Sequence, residues 1–306
     1  MKNRILFVDD DKFILDTFRR TFRDLDITLC DSPIKALEMM REEAFDVVVS
    51  DYKMPKMDGV EFIRRAAETN PNSVRIMLTG NADLDIAVRA VNEGSVFKFL
   101  QKPCDRNILR KTVEQAMEKF NSEKELRDAS EENYYKATHD SLTGLANRFM
   151  LQEKAGDYID NWNRYQKRFA LFYMDLDKFK PINDTYGHHI GDEVLKEVAA
   201  RLLKTVRATD TVARLGGDEF VILAENVKTE EEAGALAKKI ITAVTCPIYT
   251  NNDLALEVGI SIGISIYPEH AEQYKLLLEE ADACVYKSKE KGGSAFTVGG
   301  CRQEPQ

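Results

Sequence analysis

The sequence predicts two domains in series, a doubly wound parallel five-stranded α/β sheet followed by an α+β domain, joined by a helical connector. Three observations carry this. At 306 residues the chain exceeds one ordinary domain. Residues 1–120 alternate short β-branched runs with helix-period segments five times, the pattern of buried parallel strands separated by helices. From 139 onward, strands joined by a tight hairpin mix with helices, which favours α+β.

The first five runs are ILFV (5–8), ITLC (27–30), FDVVV (45–49), VRIML (74–78) and VFKFL (96–100). FILDTFRRTF, after the first run, carries apolar residues at three-to-four spacing. The stretch 105–138 has neither Gly nor Pro and reads as one helix running out of the first domain. Its seam is Leu109, Val113, Ala116 and Phe120, then Glu123, Arg127 and Ser130 before Tyr134 and Ala137. So polar a seam gives either a weak coiled coil able to re-register or a solvated spacer, and both readings stay open. Beyond it we expect a helix over 147–166, a strand FALFYM (169–174) and a helix near 190–204. A hairpin over 211–223, a helix near 230–244, a strand near 256–266 and a helix near 273–290 follow. The domains are thus 1–120, a linker 121–138, and 139–298, with a flexible tail over 299–306.

Composition narrows the function classes. With 43% hydrophobic and 31% charged residues the chain can build cores, so it is not disordered. A net charge of −9 without a basic block counts against nucleic-acid binding. No apolar run reaches the ~18 residues of a membrane span. The first run stops at Asp9–Asp11, unlike a secretory leader. The cysteines Cys30, Cys104, Cys246, Cys284 and Cys301 are scattered and form no C-x-x-C pair. We therefore expect a cytoplasmic protein without a disulfide framework or structural zinc.

The residues at the strand ends carry chemistry. Asp9 and Asp10 follow the first run, Asp51 the third, Thr79 the fourth and Lys102 the fifth. In a parallel sheet these ends share one edge. Clustered carboxylates repel unless a hard cation lies among them, and oxygen ligands suit Mg²⁺. A carboxylate flanked by Mg²⁺ and a lysine can accept a phosphoryl group. With VDD (8–10), SDYKMPKMDG (50–59), LTG (78–80) and FKFLQKP (97–103), residues 1–120 resemble a two-component response-regulator receiver domain. The resemblance implies Asp51 as phosphoacceptor and Mg²⁺ held by Asp9, Asp10, Asp51 and the Lys53 carbonyl. It implies switch roles for Thr79, Phe99 and Lys102, and a cognate histidine kinase as partner.

In the second domain, Asp175 ends the strand 169–174, Asp177 follows it, and Asp218 and Glu219 lie in the turn of the hairpin. Gly216–Gly217 supplies the positive φ that a tight turn needs, and alone GGDE could be an ordinary turn. If hairpin and strand are neighbours, the carboxylates form one acidic cluster able to bracket a triphosphate through Mg²⁺. DSLTGLANR (140–148), MDLDKFKPINDTYGHHIGDEVL (174–195), RLGGDEF (214–220), SIGIS (261–265) and ADACVYKSKEKGG (281–293) together resemble the GGDEF, nucleotidyl-cyclase-like domain of diguanylate cyclases over 139–298. That family joins two GTP into cyclic di-GMP and releases two pyrophosphates.

The resemblance implies two Mg²⁺ on Asp175, the Leu176 carbonyl and Asp218. It gives Glu219 the role of metal holder or base, a choice left open. It implies phosphate contacts from the backbone at Lys178–Phe179 and from Lys180 and Lys289, and guanine contacts from Asn183 and Asp192. Gly293 stands where the family often has an arginine, which suggests a weaker hold on the triphosphate. Arg207 and Asp210 form R-x-x-D nine residues before Gly216, which resembles the family's product-inhibition site; at other offsets such a pair is a solvated turn. Adjacent His188 and His189 lack a third ligand at zinc spacing, and His188 reads as part of a TYGH turn. Tyr158, Trp162 and Tyr165 read as core.

The expected function is a phosphorylation-activated diguanylate cyclase, an allosteric GTP-binding homodimer inhibited by its product. The alternative is a catalytically silent domain that binds cyclic di-GMP as a receptor. A receiver-driven transcription factor is disfavoured, because 121–306 carries no helix-turn-helix signal or basic surface.

Overall fold

A computed structural model describes residues 3–80, 96–227, 229–250 and 254–300. The chain divides into two compact units that meet between Glu131 and Glu132. The segment between the fourth and fifth runs and the tail from Cys301 onward lie outside the described residues.

In the first unit the strands β1 (Arg4–Val8), β2 (Asp26–Cys30), β3 (Val47–Asp51), β4 (Val74–Thr79) and β5 (Lys98–Gln101) form one sheet ordered β2-β1-β3-β4-β5. Every pairing is parallel. Because side chains alternate along a strand, each central strand feeds two cores. Ile5, Phe7, Val47, Val49 and Ile76 pack with Phe18, Phe22, Leu109 and Val113 on one face. Leu6, Val8, Val48 and Met77 pack with Leu37, Met40, Phe62 and Ile63 on the other. Among the described residues, α1 (Lys12–Thr21), α2 (Pro33–Glu42) and α3 (Gly59–Thr69) flank this sheet. Asp11 and Asp58 accept from first-turn amides of α1 and α3, so polar side chains at the strand–helix junctions fix where these helices start. Strand order reverses between β1 and β3, and such a reversal opens a crevice at the carboxyl ends.

Helix α4 (Arg106–Thr138) is continuous over 33 residues. Leu109, Val113, Ala116 and Phe120 are buried in the first unit's core. From Asn121 to Ala137 every residue is exposed or only partly buried, Leu126 and Tyr134 prominently so. Over this span the helix relies on charged pairs one turn apart, such as Glu132 with Lys136, each worth a few tenths of a kcal/mol.

In the second unit β6 (Phe169–Asp177), β7 (Thr211–Gly216), β8 (Glu219–Glu225), β11 (Gly259–Tyr267) and β12 (Phe296–Val298) form a sheet ordered β12-β11-β6-β8-β7. All neighbours are antiparallel except β11 and β12. Helices α6 (Phe179–Tyr186), α7 (His188–Thr205) and α8 (Glu230–Thr245) complete the unit with α5 (Arg148–Tyr165) and α9 (Tyr274–Glu290). Phe172, Met174, Phe220 and Ile222 pack with residues of α7 and α8, such as Val198 and Ile240. Leu171, Tyr173, Val221 and Leu223 pack on the opposite face with residues of α5 and α9. β9 (Ile248–Tyr249) and β10 (Ala255–Leu256) pair separately.

Several expectations need correction. β6 continues through Asp175 to Asp177, because β11 pairs with it to the end. Glu219 is the first residue of β8 rather than part of the turn. His188 opens α7, and the turn is Gly187 at φ +84°. α6 and β12 were not foreseen. Tyr158 and Trp162 do pack in the core, whereas Tyr165 is exposed.

Candidate functional site

The first site lies where β1 and β3 end. Asp9, Asp10 and Asp51 bring carboxylate oxygens within 4.8 Å of one another. Asp9 is 1% exposed, and Thr79 is fully buried at the end of β4. Lys102, one residue past β5, places Nζ 2.7 Å from Asp9 Oδ2 and 2.7 Å from Asp51 Oδ1. Burial pushes the Asp9 carboxyl up, against the opposing Lys102 hydrogen bond. The all-oxygen donor set at this separation fits a hard divalent cation. Gly59 has a steric reason: a Cβ there would lie 2.3 Å from the Asp51 carbonyl. It lets the start of α3 close onto the end of β3, where its N–H donates to Tyr52 O at 2.7 Å. Lys53 lines a shallow recess with Asp10 and Asp58, while Phe99 packs at the edge of the core beside Met77.

The second site is a cleft of about 430 Å³ in the second unit. Asp175, Leu176, Asp177, Lys178, Phe179, Lys180, Asp218, Lys289, Gly292 and Gly293 all line it. β6 and β8 pair Asp175 with Glu219, and Leu176 N–H donates to Asp218 O at 3.3 Å. The hairpin turn therefore lies against the strand. Its glycines take φ +144° at Gly216 and +52° at Gly217, as a tight turn requires. Lys289 Nζ lies 2.7 Å from Asp175 Oδ1. Burial raises the Asp175 carboxyl, and this ammonium opposes the rise. Lys178 takes a left-handed φ of +60° and starts α6, so first-turn amides of α6 border the cleft. All side-chain donors here are carboxylates, which suits Mg²⁺, although among the described residues only the Asp9 group closes to within 4.8 Å.

Asn183 and Asp192 lie on α6 and α7, helices folded back on each other at Gly187. A Cβ at Gly191 would lie 1.9 Å from Asn183 Oδ1, so this glycine, one residue before Asp192, is what admits the Asn183 side chain against α7. Arg207 is exposed, while the Asp210 carboxylate already accepts from Arg207 N at 2.9 Å and Glu225 N at 3.1 Å. Asp210 thus fastens the turn before β7. His188 and His189 are exposed and join no ligand group among the described residues.

Two contributors were missed in the sequence. Arg214 donates from Nε and Nη2 to Gly217 O at 2.9 and 2.7 Å, and from Nη1 to Asp140 Oδ1 at 2.9 Å. It ties the segment after the connector to the glycine turn. Asp177 was noted without a role, yet it is the most heavily bonded carboxylate of the cleft.

Against this geometry, the family model for the diguanylate cyclase GGDEF domain matches residues 137–295. The chain belongs to this family. The response regulator receiver model matches residues 5–114, so a receiver domain precedes the GGDEF domain. The bifunctional diguanylate cyclase/cyclic di-GMP phosphodiesterase MucR of Pseudomonas aeruginosa is 42% identical over 171 residues, 56% of this chain and 25% of that protein. Diguanylate cyclase TpbB of the same species is 37% identical over 164 residues, 54% of this chain and 38% of that protein. The chain thus spans well under half the length of these relatives. Among solved structures, the coiled coil and GGDEF domain of DgcB from Caulobacter crescentus, in complex with c-di-GMP, is 25% identical with a TM-score of 0.55. It covers 61% of this chain and 99% of that one. The GGDEF domain of TpbB is 35% identical with a TM-score of 0.51, covering 53% of this chain and 94% of that one. Among the described residues no helix is long and apolar enough to cross a membrane.

Proposed function

We propose that the chain is a phosphorylation-controlled diguanylate cyclase. The observation that carries this reading is one cleft lined by Asp175, Asp218, Lys289 and the first turn of α6, inside a domain that matches the GGDEF family. Two GTP molecules react in two mirrored steps. In each, the 3′-hydroxyl oxygen of one GTP bonds to the α-phosphorus of the other. The bond from that phosphorus to the α–β bridging oxygen breaks, and pyrophosphate leaves with the electron pair. The hydroxyl proton passes to Glu219 or to water.

The chain's own residues bind and orient. Asp192 accepts from guanine N1–H and N2–H₂, which adenine lacks, and Asn183 reads the same base. An ATP complex would leave a desolvated carboxylate unpaired, a cost that exceeds the gain of one hydrogen bond. First-turn amides at Lys178–Phe179, with Lys180 and Lys289, receive the phosphates. Asp175, Asp218 and the Leu176 carbonyl would hold Mg²⁺, which when bound offsets charge on the triphosphate and the departing pyrophosphate. In the receiver, Asp9, Asp10, Asp51 and the Lys53 carbonyl would hold Mg²⁺. Asp51 then takes the phosphoryl group from a histidine kinase, Lys102 meets the new charge, and Thr79 and Phe99 respond to it.

One GGDEF domain offers one half-site, so the active form is a homodimer. Phosphorylation of Asp51 re-registers the exposed part of α4 and lets two half-sites meet. A bias of a few kcal/mol suffices for a large change in population. Cyclic di-GMP inhibits at Arg207, whose exposed guanidinium can donate bidentately to guanine O6 and N7. Asp210 then orders this turn as well as meeting ligand. Purified protein given GTP and Mg²⁺ is expected to yield cyclic di-GMP and pyrophosphate. Arg207→Ala is expected to make that rate less sensitive to added product by tenfold or more; unchanged inhibition would remove the second site.

A further inference from the structure

Asp177 has no part in the roles set out above, yet the protein spends both of its oxygens. Oδ1 accepts from Ser261 Oγ at 2.7 Å, and Oδ2 accepts from the Ser294 N–H at 2.7 Å. Ser261 is fully buried on β11, while Ser294 belongs to the loop that leaves α9. Two glycines close over the carboxylate. A Cβ at Gly259 would lie 2.7 Å from Oδ2, and one at Gly293 would lie 2.8 Å from it. Gly292, Gly293 and Ser294 have φ of +104°, +80° and +47° in succession. A serine in the left-handed region costs on the order of 1 kcal/mol and persists only where its surroundings hold it there.

We propose that Asp177 is a positioning residue that fastens the loop Gly292–Ser294 over the triphosphate cleft. In that place Gly292 and Gly293 line the cleft together with Lys289 of the last turn of α9. The residue acts through the loop, since its two oxygens accept from donors on two different elements, β11 and the loop after α9. Glycine at 293 belongs to the same device: at its φ of +80° a Cβ would crowd the Asp177 carboxylate, so the missing side chain lets the loop lie against it. The part of the proposal that concerns nucleotide rests on the GTP reading given above.

The test uses the full chain with Asp177→Ala, Asp177→Asn, Ser261→Ala and Gly293→Arg. Amide hydrogen exchange of the 289–297 segment is measured without nucleotide, and binding of a non-hydrolysable GTP analogue and the KM and kcat for GTP with it. Asp177→Ala is expected to speed exchange of the Ser294 amide about tenfold, the equivalent of 1.4 kcal/mol. KM and the analogue's Kd should rise by a similar factor, while kcat changes less. Asp177→Asn should recover most of this, since its Oδ1 can accept from the amide and its Nδ2 can donate to Ser261 Oγ. Ser261→Ala, which introduces no new group, should show a smaller change of the same kind. Gly293→Arg should weaken analogue binding. Unchanged exchange in Asp177→Ala overturns the clamp. A collapse of kcat with Asp177→Asn as damaging as Asp177→Ala would make the residue a metal ligand instead, and tighter binding by Gly293→Arg would refute the role of the glycine. The exchange measurement needs no nucleotide, so it decides the clamp even if the wild type binds no GTP.

Discussion

At the residue scale both candidate sites solve the same electrostatic problem. Carboxylates brought together at strand ends are balanced by a lysine, Lys102 between Asp9 and Asp51 and Lys289 on Asp175. The carboxylates were legible in the sequence because a strand run that stops at an acidic residue marks a sheet edge. The partners that hold them were not. Asp177 meets Ser294 across 117 positions and Arg214 meets Asp140 across 74, and such contacts leave no period in the chain. A different residue gives a clean pH prediction. The Tyr158 hydroxyl donates to Thr209 O at 2.7 Å, and burial pushes its pKa up to about 12. Folding therefore favours the neutral phenol. The stability this confers is complete below the ordinary tyrosine value of 10 and is lost as pH rises through about 12. Tyr158→Phe should flatten the fall in the second unit's stability between those limits, a difference of about 3 kcal/mol. An unaltered pH profile would place the titrating group elsewhere.

At the element scale the periodic segments were readable and the irregular ones were not. The five strands of the first unit match five apolar runs because each strand is buried on both faces. α6 escaped notice because eight residues containing a proline carry too little periodicity to declare a helix. β12 is short and only partly buried, so its pattern is weak. The glycine hairpin was legible as a turn, but the sequence did not reveal that Arg214 braces it. The Arg214 and Asp140 side chains are only 10% and 20% exposed, so removing one leaves a largely desolvated partner. Arg214→Ala is expected to lower kcat about tenfold or more and to lower the unfolding midpoint of the second unit, with Mg²⁺ binding by the receiver unchanged. Wild-type kcat in this variant would show that the turn needs no brace.

At the scale of the whole molecule, the acidic charge takes on meaning. Part of the net −9 is carboxylate gathered at two sites in different units, which the proposed function assigns to phosphoryl acceptance and to triphosphate handling. Between Phe120 and Thr138 α4 has no apolar face long enough to hold one fixed partner register, which is the property a switchable connector needs. Both its length and its polar seam could be read from the sequence, since an unbroken run without Gly or Pro declares a helix. On the proposed function this chain makes cyclic di-GMP under receiver control. The direct measurement is product formation from GTP and Mg²⁺ by the full chain, with and without a phosphoryl mimic such as beryllofluoride, beside Asp51→Asn and Asp218→Asn. The wild type is expected to yield cyclic di-GMP and two pyrophosphates, at a rate that rises severalfold with the mimic. Asp51→Asn should show no such rise, and Asp218→Asn should form no product. A wild type that forms no cyclic di-GMP in the presence of the mimic, while still binding added cyclic di-GMP, would instead be a silent receptor.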